Sequence, residues 1–337
     1  MPYLLPDQFH FKHQFSLFLH DILVNIIKVG EYNQHFSHKV QLRNEKDIEA
    51  LESINQEDTF DTFVRMGYSD DMDWVLIKQV YVAVLADFVQ FVSTALETST
   101  KGQLSVTYSL LRKPFKDNLF ILEWILSNPD SYLEKFKSKD SYQEISIDKI
   151  KPEEKLKIIE SANKKSAIPF LPSDFIYEQR YDKSKPYGFE RSWQMANHLV
   201  TSYKHHKTED MNLNFVFSNQ EAKLSQWENL YLLLPSLLLY AVNICWSVYL
   251  TIQPQSKLID GHMLSKIAVG YILCTKGTVQ EFDNRIIKDV PLLCEKCGRE
   301  IPVTNKVEKT IINNGYYRCS KCHRNNFFKI AHQEIRI

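Results

Sequence analysis

Glycine is scarce in this chain, with nine in 337 residues. Phosphate-cradling loops need glycines so that backbone N–H groups can approach the ligand. The scarcity, and the absence of Gly-x4-Gly-Lys-Ser/Thr and Gly-x-Gly-x2-Gly, exclude P-loop and dinucleotide-binding folds. Gly-x-Ser-x-Gly and His-Glu-x2-His are also missing, which removes nucleophile-elbow hydrolases and zincin peptidases. Charge of one sign is lacking too: Lys+Arg and Asp+Glu are both 41, so no global field calls for a polyanion. There are six cysteines, without a disulfide-framework pattern. The N-terminal Met1-Pro-Tyr-Leu-Leu-Pro-Asp7 has no basic n-region, so no signal peptide is expected and the location reads as cytoplasmic. No internal repeat or low-complexity tract stands out.

Four of the cysteines sit together near the end, as Cys294-Glu-Lys-Cys297 and Cys319-Ser-Lys-Cys322. Two Cys-x2-Cys knuckles are what a tetrahedral four-thiolate site requires, and Zn2+, one per chain, is the expected ion. Gly298 suits the tight turn after the first knuckle. Val307 to Ile312, Asn313-Asn-Gly315 and Tyr316-Tyr-Arg318 read as strand, turn, strand. The segment looks like a zinc ribbon at 290–337. From Pro291 onward nine Lys/Arg face four Glu, so the tail is basic and the remainder acidic. That favours an anionic partner for the ribbon, against the plainer reading of a zinc-stapled end cap. Cys245 and Cys274 stand in apolar contexts and read as buried small hydrophobes.

The rest reads as mainly α. Phe9 to Val29 repeats apolar residues at helical spacing. Asp71 or Asp73 is expected to cap a helix through Trp74, Ile77, Val84 and Val92. Another starts near Gln103 and runs through Leu126, kinked at Pro114 and stopped by Ser127-Asn-Pro-Asp130, which starts a short element around Tyr132 to Phe136. Lys137 to Ser166 reads as solvated, with a helix near Glu153 to Ala162. Helices are expected at Phe189 to Tyr203 and Gln226 to Ile252, with a helical connector at Gly261 to Asp289. Asn212 to Ser218 is expected to pack on the core. No charge occurs from Asn229 to Ser256, which suits either a membrane span or a helix buried on all sides; Pro235, Ser236, Asn243, Ser247 and the absence of a basic flank favour the core helix. The pairs His10/His13 and His35/His38 lack carboxylates at matching spacing and read as packing or surface histidines.

Arg191 and His198 are the candidate catalytic pair. Seven residues is two helical turns, which would place both on one face. Guanidinium can hold a phosphate and imidazole can move protons to and from ribose oxygens, chemistry suited to metal-independent RNA cleavage. Lys204, His205 and Lys207 follow, as a backbone-binding patch or as cations at a helix end. Arg112 stands either in a polar pocket facing that helix or in a contact with Asp117.

The Leu110-Leu-Arg112…Asn118-Leu…Leu122-Glu-Trp124 segment, with Arg191-x6-His198 and the long apolar helix after it, resembles the HEPN superfamily over residues 75 to 252. The resemblance implies a helical bundle, often dimeric, cutting RNA without metal. Arg191 would polarise the scissile phosphate and His198 would serve as general acid/base, in a toxin or antiviral defence effector with a neutralising or activating protein partner. Ser192 fits only approximately the small polar residue usual after the Arg.

The expectation is therefore a helical segment at 1–70, a HEPN-like bundle at 71–289 and the ribbon, with endoribonuclease activity and the ribbon binding RNA or a partner. Two alternatives stand beside it: a non-catalytic helical scaffold whose ribbon recruits nucleic acid or protein, and a membrane-associated effector using 230–250.

Overall fold

A computed structural model describes residues 4–52, 59–167, 171–186, 188–205, 207–253 and 292–327, the last apart from 295, 303, 305, 308–309 and 311–315. The described body is helical: α1 (His10–Tyr32), α2 (Glu45–Glu52), α3 (Thr59–Arg65), α4 (Ser69–Thr100), α5 (Leu104–Lys113), a π-turn (Pro114–Asn118), α6 (Leu119–Ser127), α7 (Pro129–Phe136), α8 (Ser141–Glu144), α9 (Pro152–Lys165), α10 (Ser173–Tyr181), α11 (Phe189–Asn197) and α12 (Gln220–Ile252). The described strands are two short antiparallel pairs around the cysteines: β1 (Leu292–Leu293) with β2 (Glu300–Ile301), and β3 (Tyr316–Arg318) with β4 (Asn325–Phe327).

Helix α12 is the axis of the bundle. Asn219 caps it, its Oδ1 accepting from the Ala222 N–H at 2.7 Å. Two of the described helices, α4 and α12, are long and apolar enough to cross a membrane. In α12 the apolar window is 94 % buried within the molecule, against 33 % in α4. Ser236, Asn243 and Ser247, which interrupt the apolar stretch of α12, each find a partner inside. Ser236 Oγ donates to Leu233 O at 2.7 Å, Asn243 Nδ2 to Ser166 Oγ at 2.9 Å, and Ser247 Oγ to Asn243 O at 2.6 Å. It is the all-round buried core helix.

Around it, α1 lays the stripe Phe15, Leu19, Leu23 and Ile26 into the core and packs on α12 and α4. The N-terminal helix therefore belongs to the same core as the helices after residue 70. At its end the chain reverses so closely that a Cβ on Gly30 would stand 2.1 Å from the Phe36 ring. Helix α4 also packs on α5, α6 packs on α9 and α12, and α10 and α11 pack on each other, with α11 against α5.

Pro114 does what its chemistry requires. It lacks an N–H and cannot continue a regular turn, and the chain absorbs it as a π-turn between α5 and α6, with Leu119 N–H reaching back to Pro114 O.

Several expectations are corrected. Helix α4 begins at Ser69 after Tyr68, with no side-chain cap, and Asp71 instead holds His38 Nε2 at 2.8 Å. Helix α9 is not merely solvated: Ile158, Ile159 and Ala162 are buried in the core. Of Asn212 to Ser218, Phe215 packs on the core while Val216 and Phe217 are exposed. The strand expected from Val307 is not found in its described residues: Lys306, Val307 and Thr310 are helical, and Tyr316–Arg318 pairs forward with Asn325–Phe327. Asn313 to Gly315, Cys274 and the connector at 261–289 lie outside the described residues.

The largest correction is α11. It stops at Asn197, and His198 is extended at φ −131° and ψ 127°. The reason lies downstream, where a loop captures the backbone that a longer helix would need. Asn214 Nδ2 donates to His198 O at 2.8 Å, Asn214 N to Leu199 O at 2.9 Å, and Thr208 N to Thr201 O at 2.8 Å. These bonds take the His198, Leu199 and Thr201 carbonyls in place of a further helical turn.

Candidate metal centre and the cleft at Arg191

The sulfurs of Cys294, Cys297, Cys319 and Cys322 lie within 4.8 Å of one another. Cys294 to Cys322 is 3.4 Å and Cys297 to Cys319 is 3.7 Å, far beyond a disulfide bond. A tetrahedral ion with metal–sulfur bonds of about 2.3 Å would set sulfurs about 3.8 Å apart. The four cysteines can hold a metal ion.

The two halves of the centre are copies of one another. Cys294-Glu-Lys-Cys297-Gly-Arg299 and Cys319-Ser-Lys-Cys322-His-Arg324 share Cys-x-Lys-Cys-x-Arg, a short internal repeat that a search for longer periods misses. Each closes with the same two hydrogen bonds. Cys294 N donates to Arg299 O and Gly298 N to Cys294 O, both at 2.9 Å; Cys319 N donates to Arg324 O at 2.9 Å and His323 N to Cys319 O at 3.0 Å. Each turns on one left-handed residue, Gly298 at φ 63° and His323 at φ 56°. Glycine adopts that conformation freely; histidine adopts it at a cost.

Electrostatics inside the cluster are uneven. Burial would raise Cys294, but N–H donors of Cys297 and Lys296 outweigh it and bring the thiol to about 6. The Cys322 N–H similarly lowers Cys319. Arg324 N–H would lower Cys322, yet burial and the three neighbouring sulfurs push it up to about 11. Gathered thiolates repel one another, and a dication bound among them would remove that repulsion.

The candidate catalytic pair is not brought together by a helix. Arg191 is half-buried on α11, and His198 is exposed beyond its end. Lys204, His205 and Lys207 are exposed on the loop after α11, so no helix end orients them. Arg112 is half-buried on α5, where its charge acts on Asp117. The histidine pairs are packing groups. His13 Nδ1 meets Tyr231 OH at 2.8 Å and His35 Nδ1 meets Tyr249 OH at 2.6 Å.

Arg191 does line a cleft of about 550 Å³, with Lys12, Tyr108, Ser192, Phe215 and Asn229 among its walls. Asn229 Nδ2 donates to Tyr108 OH at 3.2 Å and to Ser192 Oγ at 3.0 Å, while Tyr108 OH donates to Gln226 O at 2.8 Å. Asn229 Oδ1 is buried without a partner among the described residues.

A second polar cluster was not foreseen as a unit. Two carbonyls of the π-turn accept from α10: Arg180 Nε donates to Phe115 O at 2.7 Å and Tyr181 OH to Lys116 O at 2.8 Å. Fully buried Arg180 pairs with fully buried Glu123, which also accepts from Tyr240 OH at 2.8 Å. Lys116 pairs with buried Glu190 at 3.2 Å and with Asp148 at 3.4 Å. Burial pulls Glu123 towards its neutral form, and Arg180 opposes this, its own charged state reinforced by the carboxylate. Glu123 in the apolar run Leu119 to Leu126 was the one visible signal; nothing in Glu178-Gln-Arg180-Tyr181 marks Arg180 as its partner.

Comparison with known proteins gives no match to a family model, to a curated protein or to a solved structure, so no family model supports the HEPN resemblance.

Proposed function

We propose that the protein is a helical scaffold whose C-terminal module is a structural zinc ribbon that engages nucleic acid, RNA in the first instance. Four thiolates with closed knuckles and no open ligand position match a structural zinc site. The observation that carries the reading is the cation arrangement. The repeat places Lys296 with Lys321 and Arg299 with Arg324 at equivalent points of the two knuckles, all four exposed and none in an ion pair among the described residues. Such paired cations suit successive phosphates, whose neutralisation releases counterions. The helical body would position the ribbon.

The test is fluorescence anisotropy of a labelled single-stranded RNA against zinc-loaded full-length protein over a salt series. Four phosphate contacts give a log–log slope of about −3. Neutralising Lys296, Arg299, Lys321 and Arg324 to Gln should abolish binding while zinc content and helicity persist. No binding by wild type at low salt would overturn the proposal.

A metal-independent endoribonuclease of HEPN type is the second reading, favoured by one observation: Arg191 faces a cleft with no carboxylate partner among the described residues. The extended backbone at His198 removes the shared helical face on which the pair was argued. Cleavage of RNA without divalent metal by wild type, lost in His198→Ala, would restore it. The membrane reading loses its motivation, because the apolar stretch of α12 is covered by the bundle.

A further inference from the structure

We propose that the cleft at Arg191 is a binding site for a small aromatic carboxylate that carries an N–H or O–H donor on its ring. This site is independent of the ribbon. Its volume of about 550 Å³ lies in the range of small-molecule sites. Two cations line it, Lys12 and Arg191, and neither has an ion-pair partner among the described residues. Exposed Glu228 is the single carboxylate of the lining, so the local balance suits a monoanion better than a phosphate dianion. A guanidinium presents the planar fork that a carboxylate fills bidentately.

The walls select a flat ring. Phe9 lines the cleft and is itself stacked on Tyr231, with centroids 5.7 Å apart. Tyr108 and Phe215, also in the lining, lie 5.7 Å apart and tilted by 59°. Phe215 holds φ at 61°, a costly conformation for a bulky residue that persists only where the surroundings fix it. Here the fixing is local, since Ser218 Oγ donates to Phe215 O at 3.1 Å and the preceding Asn214 is buried in hydrogen bonds to Thr201, Thr208 and His198. The strain positions an aromatic ring at the cleft.

The third element is Asn229. Both of its N–H donors are committed, to Tyr108 and Ser192, and its buried carbonyl oxygen has no partner. Tyr108 OH already donates to Gln226 O and can only accept from Asn229, which fixes the amide with its oxygen as the unsatisfied atom. A buried acceptor of this kind is matched by an occupant that donates. A ring N–H at Asn229 and a carboxylate at Arg191 and Lys12 would match the unsatisfied acceptor and the two unpaired cations of the lining.

The experiment is isothermal titration calorimetry of the zinc-loaded full-length chain with indole-3-acetate, and with neutral indole and adenosine monophosphate as comparisons. Indole-3-acetate should bind with a dissociation constant below about 100 µM, and Arg191→Ala should weaken it at least tenfold. Asn229→Leu should weaken indole-3-acetate more than it weakens 1-methylindole-3-acetate, which lacks the ring donor. Circular dichroism melts of each variant separate a lost site from a lost fold. No binding by folded wild type, binding insensitive to Arg191→Ala, or tighter binding of adenosine monophosphate would each overturn the proposal. The Gln-substituted ribbon variant should bind indole-3-acetate as wild type does, so this site and the ribbon reading fail separately.

Discussion

Removing Arg180 alone should be among the most damaging single changes available to this protein. Its guanidinium and the Glu123 carboxylate are both completely buried, and Arg180 also donates to the Phe115 carbonyl of the π-turn. Arg180→Met keeps the length and apolar stem but strands an ionised carboxylate in the core. Breaking one side of a buried pair costs about 3–5 kcal/mol, whereas replacing both partners with groups of similar volume is close to neutral. The double variant Arg180→Met/Glu123→Gln retains an acceptor for Tyr240 and should recover to within about 1–2 kcal/mol of wild type. Urea denaturation followed by far-UV circular dichroism measures both, with unchanged slopes marking a change in stability alone. The deficit of the single variant also has a pH signature. Burial already lifts Glu123 above its ordinary value, and loss of Arg180 lifts it further. A carboxyl raised in the folded state contributes stability that is complete below the unfolded value of about 4.3 and is lost as pH rises through the folded one. The single variant should therefore approach wild type as pH falls from about 8 to about 5. A deficit below about 1 kcal/mol, as for an exposed pair, or one that does not vary with pH, would refute the buried-charge reasoning.

Three further outcomes are expected. His13 is buried and its imidazole is lowered from 6.5 to about 4, by burial first and then by His10, so the unfolded chain takes up a proton that the folded chain refuses. Stability should fall by up to about 3 kcal/mol as pH drops through that window, and His13→Gln should flatten thermal melts recorded across it. His323→Gly should relieve the left-handed conformation at φ 56° and strengthen the ribbon by about 1 kcal/mol, read as slower metal loss to a chelator. In contrast, Gly298→Ala should weaken it by about the same amount, purely through backbone conformation, because an added Cβ meets nothing within 4 Å. Mass spectrometry should find about one zinc per chain. Cys294→Ser should lose the metal yet keep the helical far-UV signal; metal-free protein with an intact ribbon would refute the zinc assignment.

What could be read from residues alone was whatever depends on local spacing. Apolar periodicity gave the helices, because the period of 3.6 is written directly into which side chains must be buried. Pro114 announced the kink, and the four cysteines announced the metal centre, since ligand spacing is a property of the chain itself. The charge-free run of α12 left two readings, and only the packing of other helices around it decided for a core helix. The same holds for function. Arg191 and His198 shared a face only while the helix was assumed to continue; its end was set by Asn214, sixteen residues beyond His198, taking the His198 carbonyl. The Tyr316 strand pairs downstream, across the second knuckle that Cys319 N closes on Arg324 O. Arg180 with Glu123, and Asn229 with Arg191 at the cleft, are juxtapositions of distant helices. Spacing along a chain determines what one segment can do by itself. Which polar groups are left facing each other without water is decided only when separate segments pack.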